Sequence, residues 1–213
     1  MKNTIRRWTM TAAALAAGCG LAMAQEAALE KGQTITQDFE GELDARWKLK
    51  AAEVSEEQAH GGTKSLKVKG QAELVFSPGK ELPVRIRLWV WDAGEQFSAN
   101  AMSHAWGVST EKGFQFAVRT VWRSYMDGNK VYAWFNTENN KWFTPKNTRV
   151  PRKQGWSEWV FDFTNPDAVT VAGNGQKVAL EAQWTPKGAV SVFLLGGKDG
   201  GDFFVDDITV EYP

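Results

Sequence analysis

Phe203-Phe204-Val205-Asp206-Asp207-Ile208-Thr209-Val210, at the end of the sequence, sets two acids inside an otherwise apolar run. Aromatic and β-branched residues in such a run favour a strand that ends in a core. In an extended strand successive side chains point to opposite faces, which groups Phe204, Asp206, Ile208 and Val210 on one side and Val205 and Asp207 on the other. A carboxylate buried beside Phe204 and Ile208 is costly unless it is paired or bound to a cation. Asp38-Phe39-Glu40-Gly41, near the other end, again sets acids around an aromatic. If the first and last strands of a sandwich lie together, Glu40 meets Asp206. Two carboxylates do not neutralise each other, so a hard cation held by oxygen is expected between them. An ion pair with lysine or arginine is the competing expectation.

Outward from these ends the chain reads as short strands separated by turns. Residues 65–69 alternate apolar and polar, Gly70 closes them, and residues 72–76 form a further short strand. In residues 84–92, Val84, Ile86, Leu88 and Val90 share one face, and Arg85, Arg87, Trp89 and Trp91 the other. The aliphatic face belongs to the core, which turns two indoles and two guanidinium groups outward. Residues 113–123 place Phe114, Phe116, Val118 and Thr120 opposite Gln115, Arg119 and Arg123. After the turn Asp127-Gly128-Asn129, residues 130–137 alternate again, and with Val131, Ala133 and Phe135 inside, Tyr132 and Trp134 point out. Residues 156–163 carry Trp159, Phe161 and Phe163 to the core, and residues 169–172, 178–184 and 190–195 complete the set. Residues 93–110, with His104 and Trp106, read as a loop, and Trp47 as a cap on the end of the sandwich. Regular short strands without helical periodicity or repeats predict an all-β fold, a β-sandwich jelly roll of two antiparallel sheets over residues 34–213, preceded by a linker over 25–33.

Lys2, Arg6 and Arg7 precede the apolar residues 8–17, and Ala22-Met23-Ala24 is a small-residue cleavage signal, so residues 1–24 read as a secretory signal peptide. A secreted or periplasmic protein is expected, with no transmembrane segment in residues 25–213. Ala16-Ala17-Gly18-Cys19 also resembles a lipoprotein box, which makes a lipid anchor at Cys19 in the cell envelope the alternative. Cys19 is the single cysteine, so the exported domain has no disulfide. The 25 basic and 25 acidic residues balance, giving no global drive toward nucleic acid.

Four stretches together resemble the carbohydrate-binding modules with a galactose-binding-like jelly roll: Asp38-Phe39-Glu40-Gly41, His60-Gly61-Gly62-Thr63-Lys64-Ser65-Leu66-Lys67-Val68, Trp156-Ser157-Glu158-Trp159-Val160-Phe161-Asp162-Phe163, and Phe204-Val205-Asp206-Asp207-Ile208-Thr209-Val210. The resemblance implies a structural calcium where the first and last strands meet. Its ligands would be Glu40 and Asp206, with oxygen from Asp38 and the backbone carbonyl of Lys64. Asp207 is set aside because alternation turns it away from Ile208.

An outward aromatic face beside arginines can hold sugar rings, because the C–H faces of a pyranose lie on indole while hydroxyls find donors and acceptors. Trp89, Trp91, Tyr132, Trp134, Arg87 and Arg119 are therefore the candidate carbohydrate-binding residues, and Arg85 and Arg123 extend the basic set. Planar guanidinium forks favour carboxylate or sulfate, which points to a polysaccharide or glycan of acidic character. The expected protein is an exported, non-catalytic glycan-binding module. Alternatives are a polysaccharide lyase or hydrolase on the same sandwich, and an envelope assembly module whose aromatic face meets a partner chain. For the enzyme, Glu158 with Asp162, or Tyr125 with Arg123 or His104, would be the chemistry-bearing groups. His60 and His104 lack ligand spacing, and no nucleophile elbow occurs.

Overall fold

The computed structural model describes residues 30–77, 84–94, 104–110, 113–120, 132–136, 141–143, 150–165, 167–179, 190–197 and 203–213. For residues 110, 113–115, 132–136, 141–143 and 178–179 the description covers the backbone alone. The strands in chain order are β1 (Thr34–Gln37), β2 (Trp47–Ser55), β3 (Ser65–Phe76), β4 (Arg85–Asp92), β5 (Ala105–Thr110), β6 (Gly113–Thr120), β7 (Tyr132–Asn136), β8 (Lys141–Phe143), β9 (Gly155–Asp162), β10 (Thr170–Gly173), β11 (Gln176–Ala179), β12 (Val190–Leu195) and β13 (Phe203–Glu211). They form one antiparallel hydrogen-bonded sheet in the order β11-β10-β9-β4-β13-β3-β12-β5-β6-β7-β8, with β1 on β13 and β2 on β3. Curled on itself, this sheet makes the two layers of the expected jelly-roll sandwich.

The curl happens at β3. Its first half pairs with β13 at Leu66 and Lys67, and its second half, from Gln71 to Phe76, pairs with β12. Strands that change partners in this way make the corners of a sandwich, through bulges and bends. Gly70 sits at the change, where an added Cβ would lie 2.6 Å from the Lys50 carbonyl oxygen. Beside it β2 bulges between Lys50 and Ala52, with Ala51 at φ 58°. A side chain at position 70 has no room against that bulge, so glycine fixes where the sheet turns. The expected stop at Gly70 is therefore a bend within one strand.

One layer, β9-β4-β13, turns Ile86, Leu88, Val90, Trp159 and Phe161 inward, all buried. The other, β12-β5-β6, answers with Val192, Leu194, Trp106, Val108, Phe116 and Val118. Trp106 meets Trp159 edge-on at 5.2 Å, and Phe116 meets Phe163 at 5.4 Å. These ring contacts tie the layers together, each such pair adding about 0.5–1.5 kcal/mol beyond its area burial.

Three strand readings change. Trp47 opens β2, buried against Phe39 at 5.7 Å, rather than capping the end. Most of β2 is exposed on both faces, so no apolar alternation marks it. Residues 105–110 are β5, and Trp106 is a core residue; Gly107 and Ser109 leave it without the bulk that signals a strand.

The third change concerns β13. Its register with β4 shifts between Asp206 and Thr209, and Asp207 has φ 45°. This bulge moves the inward set from Phe203 and Val205 to Ile208, Val210 and Tyr212. Phe204 and Asp206 therefore leave the side of Ile208 and stand opposite Trp91 and Trp89 of β4.

Candidate functional site

On the outer face of β9, β4 and β13 the registers align side chains into rows. Trp156, Trp91, Phe204 and Lys67 occupy one row, from β9 through β4 and β13 to β3. Glu158, Trp89 and Asp206 form the next, and Val160, Arg87 and Thr209 the one after. Trp89, Trp91 and Trp156 are each partly exposed, as alternation predicts for the two on β4. Trp91 and Trp156 meet edge to face at 5.7 Å. Phe204 is buried beneath Lys67, whose ammonium lies 5.3 Å from the ring centre. Trp156 is absent from the candidates drawn from the sequence, although the alternation that puts Trp159 and Phe161 inside sends Trp156 and Glu158 out.

The junction of the first and last strands borders this same face. β1 pairs with β13, as the sandwich expectation requires, and residues 60–64 join the two ends. The backbone N–H groups of Thr63 and Lys64 each donate to Glu40 Oε1 at 2.7 Å, and the Thr63 hydroxyl donates to Oε2 at 2.9 Å. These bonds hold the Glu40 carboxyl below its ordinary value, the two backbone bonds first. The N–H groups of His60 and Gly61 donate to Asp206 Oδ2 at 2.8 and 3.2 Å, and that of Asp207 to Oδ1 at 2.8 Å. The two glycines permit this closeness: a Cβ at Gly62, where φ is 61°, would overlap Glu40 Oε1, and one at Gly61 would stand 3.0 Å from Asp207 Oδ2.

The loop also carries His60 onto the aromatic face. Its imidazole stacks on Trp89 at 3.6 Å and 15°, and meets Trp156 edge-on at 5.8 Å. Nδ1 lies 2.6 Å from Asp207 Oδ2. Asp207, set aside on alternation alone, is thus the residue that orients the ring, because the bulge turns it toward the loop. Trp89 contributes to a two-ring stack and is not a bare indole.

The candidate sugar-binding residues divide between the layers. Arg87, Trp89 and Trp91 lie together on β4. Arg119 lies on β6, between Ala105 and Ala133, in the other layer. Tyr132 and Trp134, on β7, pair in backbone register with Thr120 and Val118 of β6. The expectation for their side chains lies outside the described residues, as do Arg123 and Tyr125. The arginines of the β4 face meet the protein's own carboxylates: Arg87 Nε is 3.3 Å from Glu158 Oε1, and Arg85 lies 3.3 Å from Asp162 and 3.5 Å from Glu211.

For a cation, the expected set is Asp38, Glu40, Asp206 and the Lys64 carbonyl. Asp38 Oδ1 accepts the Glu40 N–H at 3.2 Å, and Lys64 offers its N–H to Glu40. Among the described residues no group of three or more His, Cys, Asp and Glu side chains is placed to hold a metal ion. Every oxygen of the Glu40 and Asp206 carboxylates already accepts an N–H or O–H from the 60–64 loop or from Asp207. Asp206 is fully buried, and burial pushes its carboxyl above the ordinary value despite the N–H groups of His60, Asp207 and Gly61, with the Asp207 charge adding to the rise. Glu40 and Asp206 would be the side-chain ligands, with carbonyls and water needed to reach the six to eight oxygens calcium takes.

The acid pair considered for hydrolysis is engaged elsewhere. Burial pushes the Asp162 carboxyl up, but bonds from Thr164 and the Arg85 charge outweigh it and leave it below the ordinary value, the opposite of what a general acid needs. His104 is buried, stacked on Phe203 at 4.8 Å, and its Nδ1 accepts the Gly197 N–H at 2.8 Å. It holds the fold between the layers. No helix among the described residues is long and apolar enough to cross a membrane.

No protein-family model matches the chain, and no curated protein matches it. Solved structures do. A cellulose-induced protein, Cip1, is similar over 84% of this chain and 97% of its own, with 15% identity and a TM-score of 0.58. The exoplasmic/lumenal domain of VIP36, in a form bound to Ca2+ and Man2, is similar over 84% of this chain and 87% of its own, with 7% identity and a TM-score of 0.54. The carbohydrate recognition domain of Emp47p covers 82% of this chain and 93% of its own, with 7% identity and a TM-score of 0.52. The chain thus shares its jelly-roll-like sandwich with carbohydrate-recognition domains.

Proposed function

We propose that this protein is an exported, non-catalytic module that binds a glycan on the outer face of β9, β4 and β13. The observation that carries this reading is the partly exposed cluster of Trp91, Trp156 and the His60–Trp89 stack on one side of a sheet whose other side is the core. Rings left partly in water on a sheet face suit the C–H faces of sugars, and Glu158 and Arg87 beside them offer acceptors and donors for hydroxyls. Emp47p and VIP36 are carbohydrate-binding by their names or bound sugar, and their shared fold supports the reading. Export is supported by the signal-like residues 1–24. Affinity electrophoresis through gels cast with individual polysaccharides tests the binding claim. Retardation of the protein that disappears in Trp91→Ala and Trp156→Ala, with melting unchanged, is the expected result; retardation that survives both substitutions contradicts it.

The same reading includes a structural calcium at the junction, supported by the buried Asp206 carboxylate that three N–H groups do not fully offset. Calcium at a hundredfold over its Kd would add about 2.7 kcal/mol, or roughly 5–10 °C in Tm for a domain of this size. A melting midpoint that falls with chelator and returns with added calcium is expected. An unchanged midpoint would leave the loop N–H groups as the whole compensation.

A further inference from the structure

We infer that the glycan is uncharged, and that Glu158 sets this specificity by pairing with the Arg87 guanidinium. The inference rests on the glycan-binding reading and narrows it. Arginine on an aromatic face ordinarily invites carboxylate or sulfate, since its fork matches them in shape and charge. Here both guanidinium groups are ion-paired. Arg87 Nε faces Glu158 Oε1 at 3.3 Å, in the row next to Trp89. Arg85 stands between Asp162 at 3.3 Å and Glu211 at 3.5 Å. Three carboxylates thus stand against these two guanidinium groups. An anionic polymer laid over Trp91 and the His60–Trp89 stack would meet Glu158, in register with Trp89, and would have to displace that carboxylate to pair with Arg87. A neutral sugar meets no such repulsion, and its hydroxyls can donate to Glu158 and accept from Arg87 without breaking the pair. Arg87 and Glu158 are each nearly half exposed, at 45% and 42% of their side chains, so both are within reach of a ligand. Discrimination by a like charge set against the wrong ligand is a general route to specificity.

The full chain and its Glu158→Gln variant are run through gels containing a neutral polysaccharide (a β-glucan, a xylan or a mannan) or a polyanion (polygalacturonate or alginate), at low and at physiological salt. The wild-type protein is expected to be retarded by at least one neutral polymer and not by the polyanions. Glu158→Gln, which frees Arg87, is expected to gain several-fold retardation by a polyanion, weakened by salt and lost again in Glu158→Gln/Arg87→Ala. Retardation of the wild-type protein by polyanions as strong as by neutral polymers would overturn the inference and leave the binding face standing, as would a Glu158→Gln variant that gains nothing. No retardation by any polymer in the panel would overturn both.

Discussion

At the scale of single residues, the site depends on small groups that let large ones meet. Gly62 adopts φ 61° with its α-carbon against the Glu40 carboxylate, so Gly62→Ala adds left-handed backbone strain, about 1–3 kcal/mol, to a steric clash. A lowered melting midpoint and weaker glycan retention together are expected, because the loop that Glu40 anchors also places His60 on Trp89; a midpoint equal to wild type would contradict the geometry. Trp159 and Trp156 lie on one strand but face opposite ways. Trp159→Ala opens a cavity between the layers and should cost about 3–5 kcal/mol, measurable by urea unfolding, whereas Trp156→Ala should leave stability close to wild type. Equal losses from the two would mean that the faces of β9 are wrongly assigned. This distinction is readable from the sequence in β4, where aliphatic and aromatic or basic residues alternate without interruption. That His60 covers Trp89 is not, since the contact depends on a turn and a strand nearly thirty residues apart meeting through Asp206 and Asp207.

At the scale of elements, β13 shows where alternation stops being a guide. Its inward set changes parity at Asp207, a non-glycine residue at φ 45°, and nothing in Asp206-Asp207 announces a bulge. The pairing of β1 with β13 was legible, because matching acid–aromatic motifs stand at both chain ends. The role of the 60–64 loop as the element between them was not, because backbone N–H groups leave no mark in a sequence. Those bonds give the acid limb of the stability profile its sign. Glu40 and Asp162 have folded values below their ordinary ones, so their contribution is full above the unfolded values of 4.5 and 3.8 and is lost as pH falls through the depressed folded values. Asp206 runs the other way: its raised folded value means that its cost is present at neutral pH and relieved on acidification. Urea midpoints should therefore hold steady down to about pH 4.5 and fall below it, with a smaller fall in Glu40→Gln. An acid limb equally steep in that variant would show that Glu40 is not held by the loop.

At the scale of the whole molecule, a single sheet bent at Gly70 produces two layers and brings the Glu40–Asp206 loop contacts beside the aromatic cluster on the face of β9, β4 and β13. The junction of acids and the β4 rings, read separately from the sequence, are therefore one region joined by His60. Fold class was legible because short strands and turn residues recur along the whole chain. The division of Arg87 and Arg119 between layers was not, since it follows from strand order, which alternation does not carry. The sandwich architecture is the one shared with Cip1, VIP36 and Emp47p. The most direct measurement is the affinity of the wild-type protein and of Trp91→Ala/Trp156→Ala for whichever polysaccharide retards the wild type, taken with the melting midpoint of each. At least a tenfold loss of affinity, about 1.4 kcal/mol, at an unchanged midpoint is expected of a binding face built on these two indoles; undiminished affinity in the double variant, or its unfolding, would rule that face out.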